Sequence, residues 1–228
     1  MHTIRVIIPA FNEEKAVGKV IDEIPKELVS EIIVVNNNSN DNTKKIAENH
    51  GAKVLNEPIK GYGRACLKGI DYINTYYPQT DIVVFLDADY SDFPAEMGTL
   101  VMPIVNNDID MVIGSRKLGN KERLSVTPQQ VFGNWLATLL IEKLYKVKYT
   151  DLGPFRAIKL NALNHLKMHD KTYGWTVEMQ VKAAKQKLKV AEVPVNYKLR
   201  IGKSKVSGTF KGAILAGFKI ITTIFKEL

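Results

Sequence analysis

The sequence predicts an α/β fold in which a mainly parallel sheet carries helices on both faces, and three observations predict it. Short β-rich runs alternate with longer segments of helical period through the first half of the chain. Polar residues stand just after the strand runs, where open sheets of this kind bind ligands. The chain has 228 residues, 45% hydrophobic and 25% charged, enough to bury a full core as one domain and ordinary for a globular protein.

The elements follow in order. The first apolar run, "IRVIIP" at 4–9, is too short for a signal peptide and leads into Asn12, Glu13 and Glu14, so it reads as the first strand. A helical pattern covers 14–25. The run "EIIVVN" at 31–36 is the second strand, followed by the polar stretch Asn36 to Asp41 and a helical pattern at 41–50. "AKVL" at 52–55 is a third strand, and 62–76 a third helix. "DIVVFLD" at 81–87 has the apolar run of a sheet interior, with a helical pattern at 95–106 beyond it. "DMVIGS" at 110–115 is the fifth strand and delivers Ser115 and Arg116.

The fourth run ends in two carboxylates, Asp87 and Asp89. Alternate residues of an extended chain share a face, so both acids can reach one ligand. Two close carboxylates repel unless a cation or donors compensate, and the pair therefore points to a divalent metal. The competing reading is a solvated turn, where Asp is common. Asp108 and Asp110 repeat the spacing in "DID" with no evident site, which makes them an internal control.

The second half changes character. From Pro128, Phe132, Trp135, Leu136, Leu139, Leu140 and Leu144 fall at helical spacing, the usual signature of a core-facing helix. A last helical pattern at 208–228 places Phe210, Ile214, Phe218, Ile221, Phe225 and Leu228 in a stripe, with Lys211, Lys219 and Lys226 to one side. That arrangement suits a helix lying in a membrane interface, or core packing with a solvated lysine edge. The net charge of +8 favours a polyanionic partner: nucleic acid, an anionic lipid surface or a phosphorylated substrate. Cys66 is the one cysteine, which excludes an intrachain disulfide and fits a reducing compartment. No run of apolar residues is long enough to span a bilayer.

The segments "IIPAFNEE", "VVNNNSNDNT", "FLDADYSDFP", "IGSRKLGN", "TDLGPFRAI" and "RIGKSKVSGT" occur in an order that resembles family 2 glycosyltransferases, and the last two resemble the polyprenyl-phosphate hexose synthases among them. The resemblance covers nearly the whole chain. It implies a GT-A fold over residues 1–228, with a nucleotide-sugar half at 1–120 and an acceptor half at 121–228. It also implies a nucleoside-diphosphate sugar donor, a Mg²⁺ or Mn²⁺ ion and inversion at the anomeric carbon. Carried over by motif, Pro9, Ala10, Asn12 and Glu13 line the nucleoside pocket, and Asn36, Asn37, Asn38 and Ser39 meet base and ribose. Asp87 and Asp89 hold the metal and the ribose end, and Arg116 grips phosphate. Asn36 and Asn37 stand where the commoner pattern has acids, which leaves uridine and guanosine both open, UDP-glucose being the first expectation and GDP-mannose the alternative.

Asp151 is the base candidate for a hydroxyl acceptor, whereas a phosphate acceptor is already ionised and needs positive charge, expected from Arg156, Arg200, Lys203 and Lys205. The resulting expectation is hexose transfer to a polyprenyl phosphate at the cytoplasmic face of a membrane, with peripheral membrane contact and no nucleic acid. Transfer to a saccharide hydroxyl is the rival. Two remoter readings remain. "GYGRAC" begins as the glycine fingerprint of a dinucleotide oxidoreductase but has Cys66 at the third glycine and does not follow the first strand. A nucleic-acid binder would use the charge and leave the acidic strand ends idle.

Overall fold

The structure is a computed structural model that describes residues 2–202 and 210–228, the last helix by its backbone alone over 210–216. The expected alternation is present. Strand β1 (Ile4–Ala10) is followed by helix α1 (Val17–Glu23), β2 (Glu31–Asn36) by α2 (Thr43–Asn49), and β3 (Lys53–Asn56) by α3 (Tyr62–Tyr76). Strand β4 (Ile82–Phe85) leads through a 3-10 turn at Pro94–Glu96 into α4 (Met97–Asn107), and then comes β5 (Met111–Ser115).

The second half supplies α5 (Pro128–Tyr145), β6 (Arg156–Lys159), α6 (Leu160–Leu166), α7 (Trp175–Lys185), β7 (Val190–Pro194) and α8 (Phe210–Lys226). The sheet among the described residues therefore has seven strands, in the order β3-β2-β1-β4-β6-β5-β7, where the sequence pattern marks five. Strand β6 runs against both neighbours, pairing Phe85 and Ile113 with Arg156, while the other pairings are parallel. Its reversal brings the chain just before Arg156 to the same end of the sheet as the exits of β1, β2, β4 and β5.

Strand residues alternate between two cores, as a period of two requires. Ile7, Ile33, Val83 and Phe85 face a core shared with α3, α5, α6, α7 and α8. Val6, Ile8, Val34 and Val84 face the other, under α1, α2 and α4. Helices thus cover both faces, which is why β4 is apolar throughout and β1 is apolar apart from Arg5.

Helix α5 is begun by Thr127 and Gln130, each side chain bonding the other's backbone N–H, with Pro128 in the first turn. Its apolar stripe departs from the core expectation. The buried residues are Ala137, Thr138 and Ile141, while Phe132 is 62% and Trp135 53% exposed, their rings 5.7 Å apart. Leu140 and Leu144 of the expected stripe do pack against the core, so the expectation holds in the second half of the helix and fails at Phe132 and Trp135. On α8, Thr223 and Ile224 turn inward, and Phe218 and Phe225 are 68% and 50% exposed. Phe210, Ile214 and Lys211 carry side chains outside the described set. Lys219 is not a solvated edge, since its Nζ lies 2.7 Å from the Asp170 carboxylate. No helix among the described residues is long and apolar enough to cross a membrane.

Candidate active site at the carboxyl ends of the strands

The loops after β1 and β2 are sewn together by side chains. Asn12 adopts a left-handed backbone (φ 54°), tolerated best by Asn and Gly, and its N–H donates to Ser39 Oγ at 3.0 Å. Asn12 Oδ1 accepts from Asn40 N at 2.8 Å, and Glu13 N donates to Thr43 Oγ1 at 2.8 Å. Pro9 and Ala10 are buried as the last residues of β1 and form the floor. Asn38, also left-handed (φ 62°), is exposed, and Asn36 is half-buried, its Nδ2 donating to Asn56 Oδ1 at 3.2 Å.

Asn37 departs from the expected base contact. It is buried, its Nδ2 donates to the carbonyls of Ile59 (2.8 Å) and Glu57 (3.3 Å), and its Oδ1 accepts from Gly61 N at 2.7 Å. An amide is required there, because a carboxylate cannot donate to two carbonyls. The replacement of an acid by Asn at this position is thereby explained by the 57–61 loop.

The glycines beyond that loop serve packing. A Cβ on Gly63 would lie 2.0 Å from the Asp170 carbonyl oxygen, and one on Gly61 2.2 Å from that of Lys171. Gly63 N and Arg64 N donate to Thr172 O and Lys171 O, both at 3.2 Å. The "GYG" motif is a close backbone approach to the 170–172 segment, and the dinucleotide reading loses its one supporting feature.

Between those glycines, Tyr62 donates its hydroxyl to Asp87 Oδ1 at 3.0 Å. Burial, and then the charge of Asp89, push the Asp87 carboxyl up to about 7. Asp89 is 4% exposed. Its Oδ1 accepts from Ser91 N at 2.9 Å and from the Ser91 hydroxyl, and its Oδ2 accepts from Arg200 Nη2. The 89–92 turn is backed by the 197–201 segment through Lys198 N to Ser91 O and Ile201 N to Asp89 O, each 2.9 Å.

Asp92, which the motif reading passes over, is buried, and neither of its carboxylate oxygens has a partner among the described residues. Burial and the charges of Asp87 and Asp89 raise its carboxyl well above the usual range. The unpartnered buried oxygens of Asp92 beside Asp87 and Asp89 gather more acid than Arg200 alone offsets, and hard oxygen donors suit Mg²⁺ or Mn²⁺. The residues present therefore fit a divalent cation. Asp87, Asp89 and Asp92 do not draw together closely enough for all three to share one ion. Among the described residues His169, Glu178 and Glu227 do, but Lys182 Nζ already sits there, 2.6 Å from Glu178 Oε1 and 2.9 Å from His169 Nδ1.

Arg116, at the exit of β5, is locked to Asp151. Its Nε and Nη2 each donate at 2.7 Å to the two carboxylate oxygens, and its backbone N–H adds a third bond at 2.8 Å. Burial would raise the Asp151 carboxyl, but the hydrogen bonds and charge of Arg116 hold it below the ordinary range. Glu192 fixes the turn by accepting from Thr150 N and Asp151 N.

Of the four cations expected for an acceptor phosphate, Arg156 is corrected: it is fully buried, donates to the carbonyls of Leu152, Gly153 and Thr176, and burial lowers it to about 10. It builds the turn that carries Asp151. Arg200 is in the site, and Lys203 and Lys205 lie outside the described residues. The control pair is neutralised as a surface network, Asp108 lying 2.7 Å from both Lys159 and Lys189, and Asp110 3.1 Å from Lys159.

Comparison with known proteins agrees with this arrangement. An uncharacterised glycosyltransferase of Mycobacterium tuberculosis is 32% identical over 216 residues, 93% of this chain and 94% of that one. A UDP-N-acetylglucosamine–dolichyl-phosphate N-acetylglucosaminyltransferase of Methanococcus voltae is 30% identical over 238 residues, 95% of this chain and 92% of its own. Glucosyl-3-phosphoglycerate synthase of Mycobacterium tuberculosis, crystallised with phosphoglyceric acid, superposes with a TM-score of 0.76 at 25% identity over 99% of this chain and 80% of its own. The sequence profile described as "Glycosyl transferase family 2" matches residues 5–167, which include the loops after β1 and β2, Asp87 and Asp89, and the Arg116–Asp151 pair. With the GT-A sheet and the acidic exit of β4 in place, the chain belongs to glycosyl transferase family 2.

Proposed function

We propose that the protein transfers a hexose, with inversion, from a UDP-sugar to a polyprenyl phosphate at a membrane surface. Residues 1–120 would hold the donor and 121–228 the acceptor. The observation that carries the choice of acceptor is the state of Asp151. A general base works best with a pKa near the working pH and a free lone pair, and Asp151 has neither while Arg116 grips both its oxygens. A phosphate acceptor needs no such base. The exposed aromatics of α5 and α8 support the lipid, being suited to an interface, and basic side chains add about 1 kcal/mol each near an anionic bilayer. The relative named for dolichyl phosphate and UDP-N-acetylglucosamine supports both donor nucleotide and acceptor class.

In this reading Asp87 and Asp89 hold a Mg²⁺ or Mn²⁺ ion, which when bound supplies positive charge against the departing diphosphate. Tyr62 fixes the orientation of Asp87, and Ser91 that of Asp89. The loops carrying Asn12, Glu13, Asn36, Asn38 and Ser39, floored by Pro9 and Ala10, cradle the nucleoside. Asn37 contributes by holding the 57–61 loop. Arg116 keeps the turn before β6 in place and leaves Asp151 ionised. Arg200 is the described cation best placed for an anionic group of either substrate, and Lys203 and Lys205 follow it in sequence.

The test is a transfer assay with UDP-glucose, UDP-N-acetylglucosamine and GDP-mannose against polyprenyl phosphate in vesicles, a soluble saccharide and phosphoglyceric acid. Transfer to the lipid phosphate, with substantial activity left in Asp151→Asn, is expected. Transfer to a soluble hydroxyl acceptor alone, abolished in Asp151→Asn, would replace this reading with the hydroxyl-acceptor one.

A further inference from the structure

The two arginines of the site are held differently. Arg116 and Asp151 form a completed fork in which both carboxylate oxygens and three donors are used. Among the described residues Arg200 meets Asp89 through Nη2 alone, and its Nε is buried without a partner there. Asp89 Oδ1 is already taken by the N–H and hydroxyl of Ser91, so Oδ2, where Arg200 sits, is the oxygen left to offer a cation. A guanidinium and a divalent ion repel each other and cannot occupy that position together.

We infer that Arg200 is the exchange partner of the divalent cation: it neutralises Asp89 in the metal-free protein and is displaced from Oδ2 when the cation enters, becoming available to an anionic substrate group only then. The inference rests on the reading of Asp87 and Asp89 as cation ligands. The backbone is already arranged for such an exchange. Ile201 N bonded to Asp89 O and Lys198 N bonded to Ser91 O hold the 197–201 segment along the acidic turn, so rotation of one long side chain suffices. The consequence is an order of events: the cation enters first, and the anion that Arg200 binds second. A permanent structural ion pair would behave in the opposite way, because its removal would leave Asp89 misplaced and the cation site weaker.

The experiment measures Mn²⁺ affinity of the full chain by calorimetry and by electron paramagnetic resonance, at fixed ionic strength, with and without UDP. The proteins are the wild type, Arg200→Ala, Arg200→Gln and Lys121→Ala. Lys121 is exposed on the turn that pairs with Tyr197, and it controls for loss of one positive charge nearby. Without nucleotide, both Arg200 variants are expected to bind Mn²⁺ about threefold to tenfold more tightly than wild type, a gain that a merely damaged site cannot produce. Lys121→Ala is expected to match wild type. Equal or weaker Mn²⁺ binding by Arg200 variants that melt normally overturns the exchange and leaves the cation site standing, as does an equal gain in Lys121→Ala. Absence of Mn²⁺ binding in wild type, with or without UDP, overturns the cation reading itself.

Discussion

Replacing Asp87 with Asn is expected to stabilise the metal-free protein at neutral pH while abolishing transfer. Asp87 ends the central strand with one donor, the Tyr62 hydroxyl, and burial together with the charge of Asp89 raises its carboxyl from the ordinary 3.8 to about 7. At about 1.4 kcal/mol per pH unit, that rise is about 4 kcal/mol; remaining solvent contact and local relaxation bring the expected effect to about 1–3 kcal/mol. The sign follows from linkage. A carboxyl raised in the folded state favours folding most below its unfolded pKa, and that contribution is lost as pH climbs through about 7. Asparagine keeps the Tyr62 bond without the titration. The melting temperature of Asp87→Asn in EDTA should therefore match wild type near pH 4 and exceed it by about 3–10 °C at pH 8. Mn²⁺ should stabilise the wild type and leave the variant unmoved. A variant that melts at or below wild type at pH 8, or a gap that narrows as pH rises, would refute the reasoning.

Asn37→Asp should destabilise the fold by about 2–4 kcal/mol, since it loses two bonds to carbonyls and sets a carboxylate against them; urea denaturation checks this, and wild-type stability would return Asn37 to the base-reading role. Gly63→Ala forces a Cβ against the Asp170 carbonyl, so a loss of about 2–4 kcal/mol in thermal melts and a raised KM for donor are expected, the second because Tyr62 is displaced from Asp87. Asp108→Ala should leave transfer unchanged in a steady-state assay, because its partners are surface lysines away from the strand exits.

The first half of the fold was legible because its central strands are largely apolar on both faces and its helices have clear periods: each of the five strands expected there lies within two residues of its place. The second half hid its strands. Strand β6 is the four residues "RAIK", too short to show alternation, and its reversed direction is a property of the assembled sheet. Helix α7 buries Glu178, Gln180 and Lys182, so its pattern resembles an exposed helix. In the site, Asp87 and Asp89 could be named from the ordered family motifs, since spacing alone also fits Asp108 and Asp110, whereas Tyr62 and Asp92 become visible only once α3 and the 89–92 turn are brought to the end of β4. Arg156 was misassigned for a related reason. A charged residue beside a loop motif looks like a ligand-binding group until the carbonyls of Leu152, Gly153 and Thr176 are seen to surround it.

The reversal of β6 also bears on how such a protein can diversify. The chain leaves the sheet at Ser115 and rejoins it at Arg156, at the same end and on the adjacent strand, so everything from Arg116 to Phe155 is an excursion anchored at two neighbouring points. Strand register depends on neither its length nor its surface. Helix α5, with its outward aromatics, could therefore be exchanged for a different segment while the donor side kept its geometry, provided its core residues Ala137, Thr138 and Ile141 and the junctions at Ser115–Thr150 and Glu192–Thr150 were preserved. On the proposed acceptor role of residues 121–228, a chimera with α5 grafted into a family member of different acceptor use is expected to shift acceptor preference while nucleotide affinity stays unaltered.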